Sequence, residues 1–157
     1  MSHGAMHEMR RRSPTLSLAL IMLLGFNVMA RPAHGASLRL GVGGSYWLTE
    51  QGLFDMTLAI DTPVAHSLSV GGRFGAALTT TPARPAVPLD LLLRLTLAGQ
   101  RAYLEAVGGP WIFFEGGAVR GHVGLGFGLQ SSGVILGLEI GWLDPRALVG
   151  LKIAFPL

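Results

Sequence analysis

The sequence predicts an all-β fold, in which eight antiparallel strands run up and down and close into a barrel. Hydrophobic residues alternate with small or polar residues over long stretches, which is the two-residue period of a strand. Glycine and proline interrupt this alternation about every 12 residues, as in a chain of hairpins. No helical period is visible beyond Ser37. The hairpin pattern therefore covers the rest of the chain.

The segment before Ser37 has the features of an export signal. Three arginines at residues 10–12 precede an apolar run from Leu16 to about Met29, and small residues suited to cleavage follow at 28–30 and 33–36. The run of roughly 14 apolar residues is shorter than the ~20 that a membrane-spanning helix needs. We expect residues 1–36 to be a cleavable signal peptide and residues 37–157 to form one domain; an uncleaved anchor is the alternative.

The charge balance of the predicted domain argues against a nucleic-acid partner. The whole chain has 12 Lys/Arg and 9 Asp/Glu, but residues 1–36 contain four of the basic residues and one of the acidic ones. Eight basic and eight acidic residues remain, so the domain is neutral and its high pI predicts no polyanion binding. The absence of cysteine excludes disulfides and thiolate metal sites. We expect no cofactor.

Eight strands are predicted, each ending at a short turn. Because short connections favour hairpins between sequential neighbours, the simplest topology is a meander. Most strands exceed the usual five or six residues and reach the 9 to 11 of a tilted membrane-spanning strand. We place them at about residues 38–49, 53–61, 67–79, 87–98, 102–114, 119–130, 134–143 and 147–155.

Each of the first four strands has one apolar face. These faces consist, strand by strand, of Leu38, Leu40, Val42, Tyr46 and Leu48; Phe54, Met56, Leu58 and Ile60; Leu68, Val70, Phe74, Ala76 and Leu78; and Leu89, Leu91, Leu93, Leu95 and Leu97. The turns that end these strands are predicted at 50–52, 61–66, 80–86 and 99–101.

The last four strands repeat the pattern. Their apolar faces consist of Leu104, Ala106, Ile112 and Phe114; Val123, Leu125, Phe127 and Leu129; Val134, Leu136, Leu138, Ile140 and Trp142; and Val149, Leu151, Ile153 and Phe155. Turns are predicted between them at 115–118, 131–133 and 144–146.

The opposite faces of the strands carry the charged residues. Except on the fourth strand, which has both signs, the sign alternates from strand to strand, so that opposite charges face each other across the ladder. Such pairing suits a desolvated interior, where an unpaired charge costs several kcal/mol. The predicted charge ladder consists of Arg39, Asp61, Arg73, Asp90, Arg94, Glu105, Arg120, His122, Glu139 and Lys152.

Two architectures share this alternation: a soluble barrel with its charges in water, and a transmembrane barrel with its apolar face in lipid and a polar lumen. The polar face has fewer charges than a soluble surface and many glycines, which weaken a solvent-exposed strand. Inside a narrow eight-stranded barrel, glycine makes room for large side chains such as Trp47, Tyr103 and Trp111. We therefore predict the transmembrane form. Aromatic residues near strand ends predict interfacial girdles, formed by Tyr46, Phe54, Phe114, Trp142 and Phe155.

Residues 37–157 resemble the small eight-stranded outer-membrane barrels of the OmpA and OmpX type. The final residues, 150–157, are similar to the C-terminal assembly signal of that class, with alternating apolar residues that end near Phe155. They depart from it because Pro156 and Leu157 follow the aromatic residue. The resemblance implies the outer membrane of a Gram-negative bacterium, with membrane lipid and the outer-membrane assembly machinery as partners.

Lipid-modifying enzymes of this barrel type prompt a search for a catalytic site. The candidate, His66-Ser67-Leu68-Ser69, lies in a turn on the expected periplasmic side and has no outward-facing acid to orient the histidine. A turn histidine is the simpler interpretation. His122 is expected to be an interior hydrogen-bonding residue, and the Gly124, Gly126 and Gly128 series opens no helix, which disfavours a phosphate loop.

A pore is disfavoured because large side chains fill an eight-stranded lumen. Arg120, Glu139 and Lys152 are expected to form a charge cluster at similar depth, which Glu139→Ala would disrupt. The predicted function is a structural or accessory role in the outer membrane, with residues 80–86 as the best external docking surface. The alternatives are a lipid-active outer-membrane enzyme and a soluble periplasmic barrel that binds an apolar ligand.

Overall fold

The computed structural model describes residues 35–48, 51–116 and 118–157, apart from the side chain of Gln100. These residues form eight β-strands and one short 3₁₀ turn at Ala98–Gln100. The predicted signal peptide lies outside the described residues, except for Gly35 and Ala36. The strands are β1 (Ser37–Trp47), β2 (Gln51–Pro63), β3 (Leu68–Thr79), β4 (Pro85–Leu97), β5 (Ala102–Phe113), β6 (Val119–Ser131), β7 (Val134–Leu143) and β8 (Arg146–Pro156).

The strands form a closed barrel in sequence order, and β1 closes it by pairing antiparallel with β8. This confirms the predicted eight-stranded antiparallel up-and-down fold. Strand boundaries agree with the predicted ones to within two residues, as at β4, which begins at Pro85 instead of residue 87. Prolines lie inside β4 and β5, at Pro88 and Pro110, and the two strands keep one register on both sides of them.

The two ends of the barrel differ in what they carry. The terminal rim, formed by the first residue of β1 and the last residue of β8, also carries the β2–β3, β4–β5 and β6–β7 connections. The distal rim carries the β1–β2, β3–β4, β5–β6 and β7–β8 connections. No helix in the described part of the chain is long and apolar enough to cross a membrane.

Strand alternation separates the side chains into an apolar outer surface and a polar interior. Most of the outward side chains are large and hydrophobic, and exposed ones occur on every strand; Leu91 at the middle of β4 is 76% exposed. The inward side chains are buried and include Arg39, Asp55, Asp61, Arg73, Asp90, Arg94, His122 and Glu139. A one-residue slip in register would exchange the two sets, so the pattern fixes the register strongly.

Neighbouring glycines on β3 show how closely the interior is packed. A Cβ atom at Gly71, which faces inward, would collide with the backbone of β2 at Ile60 and Asp61. At Gly72, which faces outward, the nearest atom would be the Asp90 carbonyl oxygen, in ordinary contact at 3.7 Å. Glycine is therefore required at the first position for close approach of the strands and is not required at the second.

We predict that Gly71→Ala lowers the free energy of unfolding by about 1–3 kcal/mol, because the added methyl group must displace backbone. Gly72→Ala serves as the matched control and should leave the stability unchanged within about 0.5 kcal/mol. Urea unfolding of the two variants in detergent micelles provides the measurement. Equal effects at the two positions would contradict the inward and outward assignment of β3.

Candidate functional site

Most of the inward charges belong to two connected groups, of which the larger lies at the middle of the lumen. We call Arg73, Asp90, His122, Glu139 and Lys152 the central network. Arg73 and Asp90 face each other across the β3–β4 ladder. The Arg73 guanidinium donates from Nε and Nη2 to Asp90 Oδ2 at 3.0 and 2.6 Å. Because both groups are buried, this charge-assisted pair is shielded from solvent.

The same guanidinium crosses the lumen. Arg73 Nη1 donates to Glu139 Oε2 at 2.6 Å. Arg73 lies on β3 and Glu139 on β7, which are four strands apart in a closed ring of eight and therefore face each other across the barrel. A single side-chain pair thus links opposite walls, which is compatible with the narrow interior of an eight-stranded barrel.

The remaining members of the central network surround this crossing pair. His122 Nδ1 lies 3.0 Å from Asp90 Oδ1, and its Nε2 lies 3.4 Å from Glu139 Oε1, so the ring sits between two carboxylates. Lys152 Nζ donates to Glu139 Oε2 at 2.8 Å and lies 3.9 Å from Asp55 Oδ1. Glu139 consequently interacts with three basic side chains from three different strands.

A second group of charges lies nearer the terminal rim; we call Arg39, Asp61, Arg94 and Glu105 the terminal network. Arg39 Nη2 donates to Asp61 Oδ1 at 2.6 Å. Glu105 Oε2 lies 3.6 Å from Nη1 of both Arg39 and Arg94. Arg39 on β1 and Glu105 on β5 are again on opposite walls, so this longer contact crosses the lumen in a different direction from the Arg73–Glu139 pair.

Aromatic side chains fill the spaces that glycine leaves. The Tyr103 ring lies beneath the Arg94 guanidinium, with Cζ 3.8 Å from the ring centroid. A Cβ atom at Gly128 or Gly137 would collide with Tyr103, so these glycines on β6 and β7 provide the room for the ring. This geometry supports the steric role that the sequence assigned to inward glycine.

The distal part of the lumen is closed by apolar side chains. The buried cluster there, which we call the distal plug, consists of Trp47, Leu53, Ala77, Ala86, Trp111, Phe113, Leu143 and Leu148. The Trp47 and Phe113 rings stack with centroids 6.4 Å apart, and Trp47 Nε1 donates to the Leu143 carbonyl oxygen at 2.9 Å. Trp47 and Trp111 were predicted to lie inside the barrel, but the apolar cluster around them was not, because apolar residues occur on both faces near the strand ends.

The expected cluster of Arg120, Glu139 and Lys152 needs a correction. Lys152 pairs with Glu139, but Arg120 donates to the Asp144 carbonyl oxygen and lies over the Trp47 and Phe113 rings at the distal rim. The cause is the register: Glu139 pairs with Gly126 on β6, six residues from Arg120, or roughly 20 Å along the strand. Arg73 occupies the place that the sequence analysis gave to Arg120.

The five predicted girdle residues are all exposed on the outer surface, but they are not shared evenly between the rims. Tyr46, Phe54 and Trp142 lie near the distal ends of their strands and Phe114 directly follows the distal end of β5, whereas Phe155 lies at the terminal end of β8. The outward aromatic residues named by the sequence analysis therefore concentrate at the distal rim.

The two histidines of the predicted domain differ in accessibility. The His122 side chain has no exposed surface, so a substrate cannot reach its ring nitrogens. His66 is exposed in the β2–β3 connection at the terminal rim. Among the described residues, no group of three or more His, Cys, Asp or Glu side chains is placed to hold a metal ion.

Comparison with solved structures returns the same fold. One match is a chain from work on the de novo design of transmembrane β-barrels, with a TM-score of 0.62 and 14% identity over 81% of this chain and 98% of the other. The solution NMR structure of the designed protein TMB2.3 gives a TM-score of 0.63 and 12% identity over 79% of this chain and 97% of the other. The chain has the fold of these transmembrane barrels.

No protein-family model matches the sequence. The search of curated proteins likewise returned no match. The similarity to known proteins is therefore a similarity of fold.

We predict that Glu139→Gln destabilises the barrel strongly. The substitution keeps the side-chain volume but removes the carboxylate charge that Arg73, His122 and Lys152 share. Breaking a buried pair by removing one partner costs about 3–5 kcal/mol. The midpoint of heat-induced unfolding, followed by the change in gel migration, should fall. Glu115→Gln, an exposed position after β5, is the control and should leave that midpoint unchanged. If the two variants unfold alike, the central network does not stabilise the fold.

Proposed function

We propose that the chain is an integral outer-membrane protein of a Gram-negative bacterium, exported by a signal peptide at residues 1–36 and inserted as the barrel of residues 37–157. The observation that carries the proposal is the outer surface. Exposed large hydrophobic side chains occur on all eight strands, while the charged residues of the strands lie on the face that lines the lumen. Soluble monomers rarely expose contiguous apolar patches beyond a few hundred Å².

Strand length supports the same conclusion. The shortest strand, β7, has 10 residues and the longest have 13. A tilted strand needs about 9–11 residues to cross the hydrocarbon core. A closed barrel also leaves no unpaired strand edge, which is the condition for placing β-structure in lipid.

Within the membrane we propose a structural or accessory role in place of transport. The central network ties opposite walls together and the distal plug fills the lumen on one side of it. The rims have short connections. We propose residues 80–86, at and beside the β3–β4 connection, as the best surface for docking a partner. We further propose that β8, which closes the barrel against β1, is the strand recognised by the assembly machinery.

The membrane proposal and the soluble alternative differ in how stability responds to a charge on the outer surface: the first predicts a large loss and the second almost no change. We predict that Leu91→Arg makes folding into bilayers less favourable by about 2–4 kcal/mol, because Leu91 is at the middle of β4 and the proposal puts the middle of a strand at the membrane midplane. Leu97→Arg, at the end of the same strand, should cost only about 0–1 kcal/mol. Urea titration of refolding into phospholipid vesicles measures both values.

Cell fractionation tests the location directly. The wild-type protein should sediment with the outer membrane and require detergent for extraction, and Leu91→Arg should reduce the amount of heat-modifiable protein in that fraction. Recovery of the wild-type chain in the soluble periplasmic fraction would contradict the proposal. So would a Leu91→Arg variant as stable as the wild type, since an arginine on a water-exposed surface changes stability by less than about 0.5 kcal/mol.

A further inference from the structure

A cavity opens into the lumen from the terminal rim, and nothing in the proposed structural role uses it. Its volume is about 550 Å³. Its lining includes the charged residues Arg39, Asp61 and Arg94. The lining also includes Ser69, which pairs with Arg94 across the β3–β4 ladder, and Thr96, two residues closer to the end of β4. We call this cavity the vestibule.

The two arginines have hydrogen-bonding capacity that the described residues leave unused. Arg94 is 5% exposed and its Nη1 has no hydrogen-bond partner there; Arg39 is 8% exposed and its Nε has none. Glu105 lies 3.6 Å from Nη1 of each arginine, which is beyond hydrogen-bonding distance. Buried donors without partners are rare and call for an explanation, and a bound water or ion is one of the explanations open to residues that line a cavity.

The charges of the wall indicate what kind of acceptor fits. Asp61 is already engaged, because its Oδ1 accepts from Arg39 Nη2 at 2.6 Å and from Ser37 Oγ at 2.8 Å. The donors without partners, Arg94 Nη1 and Arg39 Nε, therefore remain for an added acceptor. Guanidinium groups match the oxygen pairs of carboxylates and phosphates, and hydroxyls of serine and threonine add neutral donors.

We propose that the vestibule is a binding site for a small anion that carries a carboxylate or phosphate group, held by Arg39 and Arg94. The guest enters from the terminal rim, because the central network and the distal plug fill the lumen beyond the vestibule. Glu105 competes for the same two guanidiniums, so it limits the affinity of the site.

The test uses the nitrogen-labelled full-length protein in a non-ionic detergent and follows the arginine side-chain Nε–H signals by NMR. Sodium phosphate, sodium acetate and a short-chain phosphatidylglycerol are titrated in separate arms against sodium chloride of equal ionic strength. We expect saturable shifts of Arg39 and Arg94 with phosphate or acetate. Arg73, whose Nε already donates to Asp90, should not shift. A response to phosphatidylglycerol alone would identify a lipid headgroup as the source of the anion.

Three variants separate binding from folding. Arg94→Gln should weaken the binding of the same anion roughly tenfold or more, since a charge-assisted hydrogen bond is lost. Arg101→Gln, an exposed position at the same rim, should bind like the wild type. Glu105→Gln removes the competing carboxylate and should tighten binding several-fold, which a purely structural Glu105 would not do.

Heat-modifiable gel migration of each variant shows whether its barrel is folded. The anion binding of a folded variant tests only the vestibule proposal, and the proposed membrane function is unaffected by it. If Arg94→Gln fails to fold, Glu105→Gln still decides the matter by the direction of its effect. The proposal is overturned if all arginines shift alike without saturation, or if Glu105→Gln weakens or does not change anion binding.

Discussion

The ion pair between Arg73 and Glu139 crosses the barrel from β3 to β7, and the other inward charges are arranged around it. Removed from water, each of these charges would cost several kcal/mol unless it met a partner of opposite sign. Each charge finds a partner either on a neighbouring strand, as Arg73 does with Asp90, or on a strand across the lumen, as Arg73 does with Glu139. The polar lumen in turn leaves the outer surface free of strand charges, which is the condition for contact with hydrocarbon.

Much of this architecture could be predicted from the sequence, since the two-residue period is preserved along every strand. The stretch 120–130 shows why: its odd positions are Val123, Leu125, Phe127 and Leu129, and these lie outward in the structure. The steric role of the inward glycines was also predicted, and in the structure Gly128 and Gly137 make room for Tyr103. Strand order and the number of strands followed from the short turns.

The contacts across the lumen could not be predicted in the same way. Alternation shows which face a residue occupies but not its depth, which depends on the stagger between strands. For this reason Arg120 was expected beside Glu139, although it lies at the distal rim over Trp47 and Phe113. Of the distal plug only Trp47 and Trp111 were predicted to lie inside, because apolar residues occur on both faces near the strand ends. The lumen therefore has a polar vestibule at one end and an apolar plug at the other.

The orientation of the side chains is tested most directly by the three tryptophans, of which Trp142 is exposed on the outside while Trp47 and Trp111 are buried inside. Variants that each keep one tryptophan are refolded into vesicles with brominated acyl chains, which quench the fluorescence of tryptophans in contact with lipid. The account predicts strong quenching of Trp142 and much weaker quenching of Trp47 and Trp111. An unquenched Trp142, or equal quenching of all three, would contradict it.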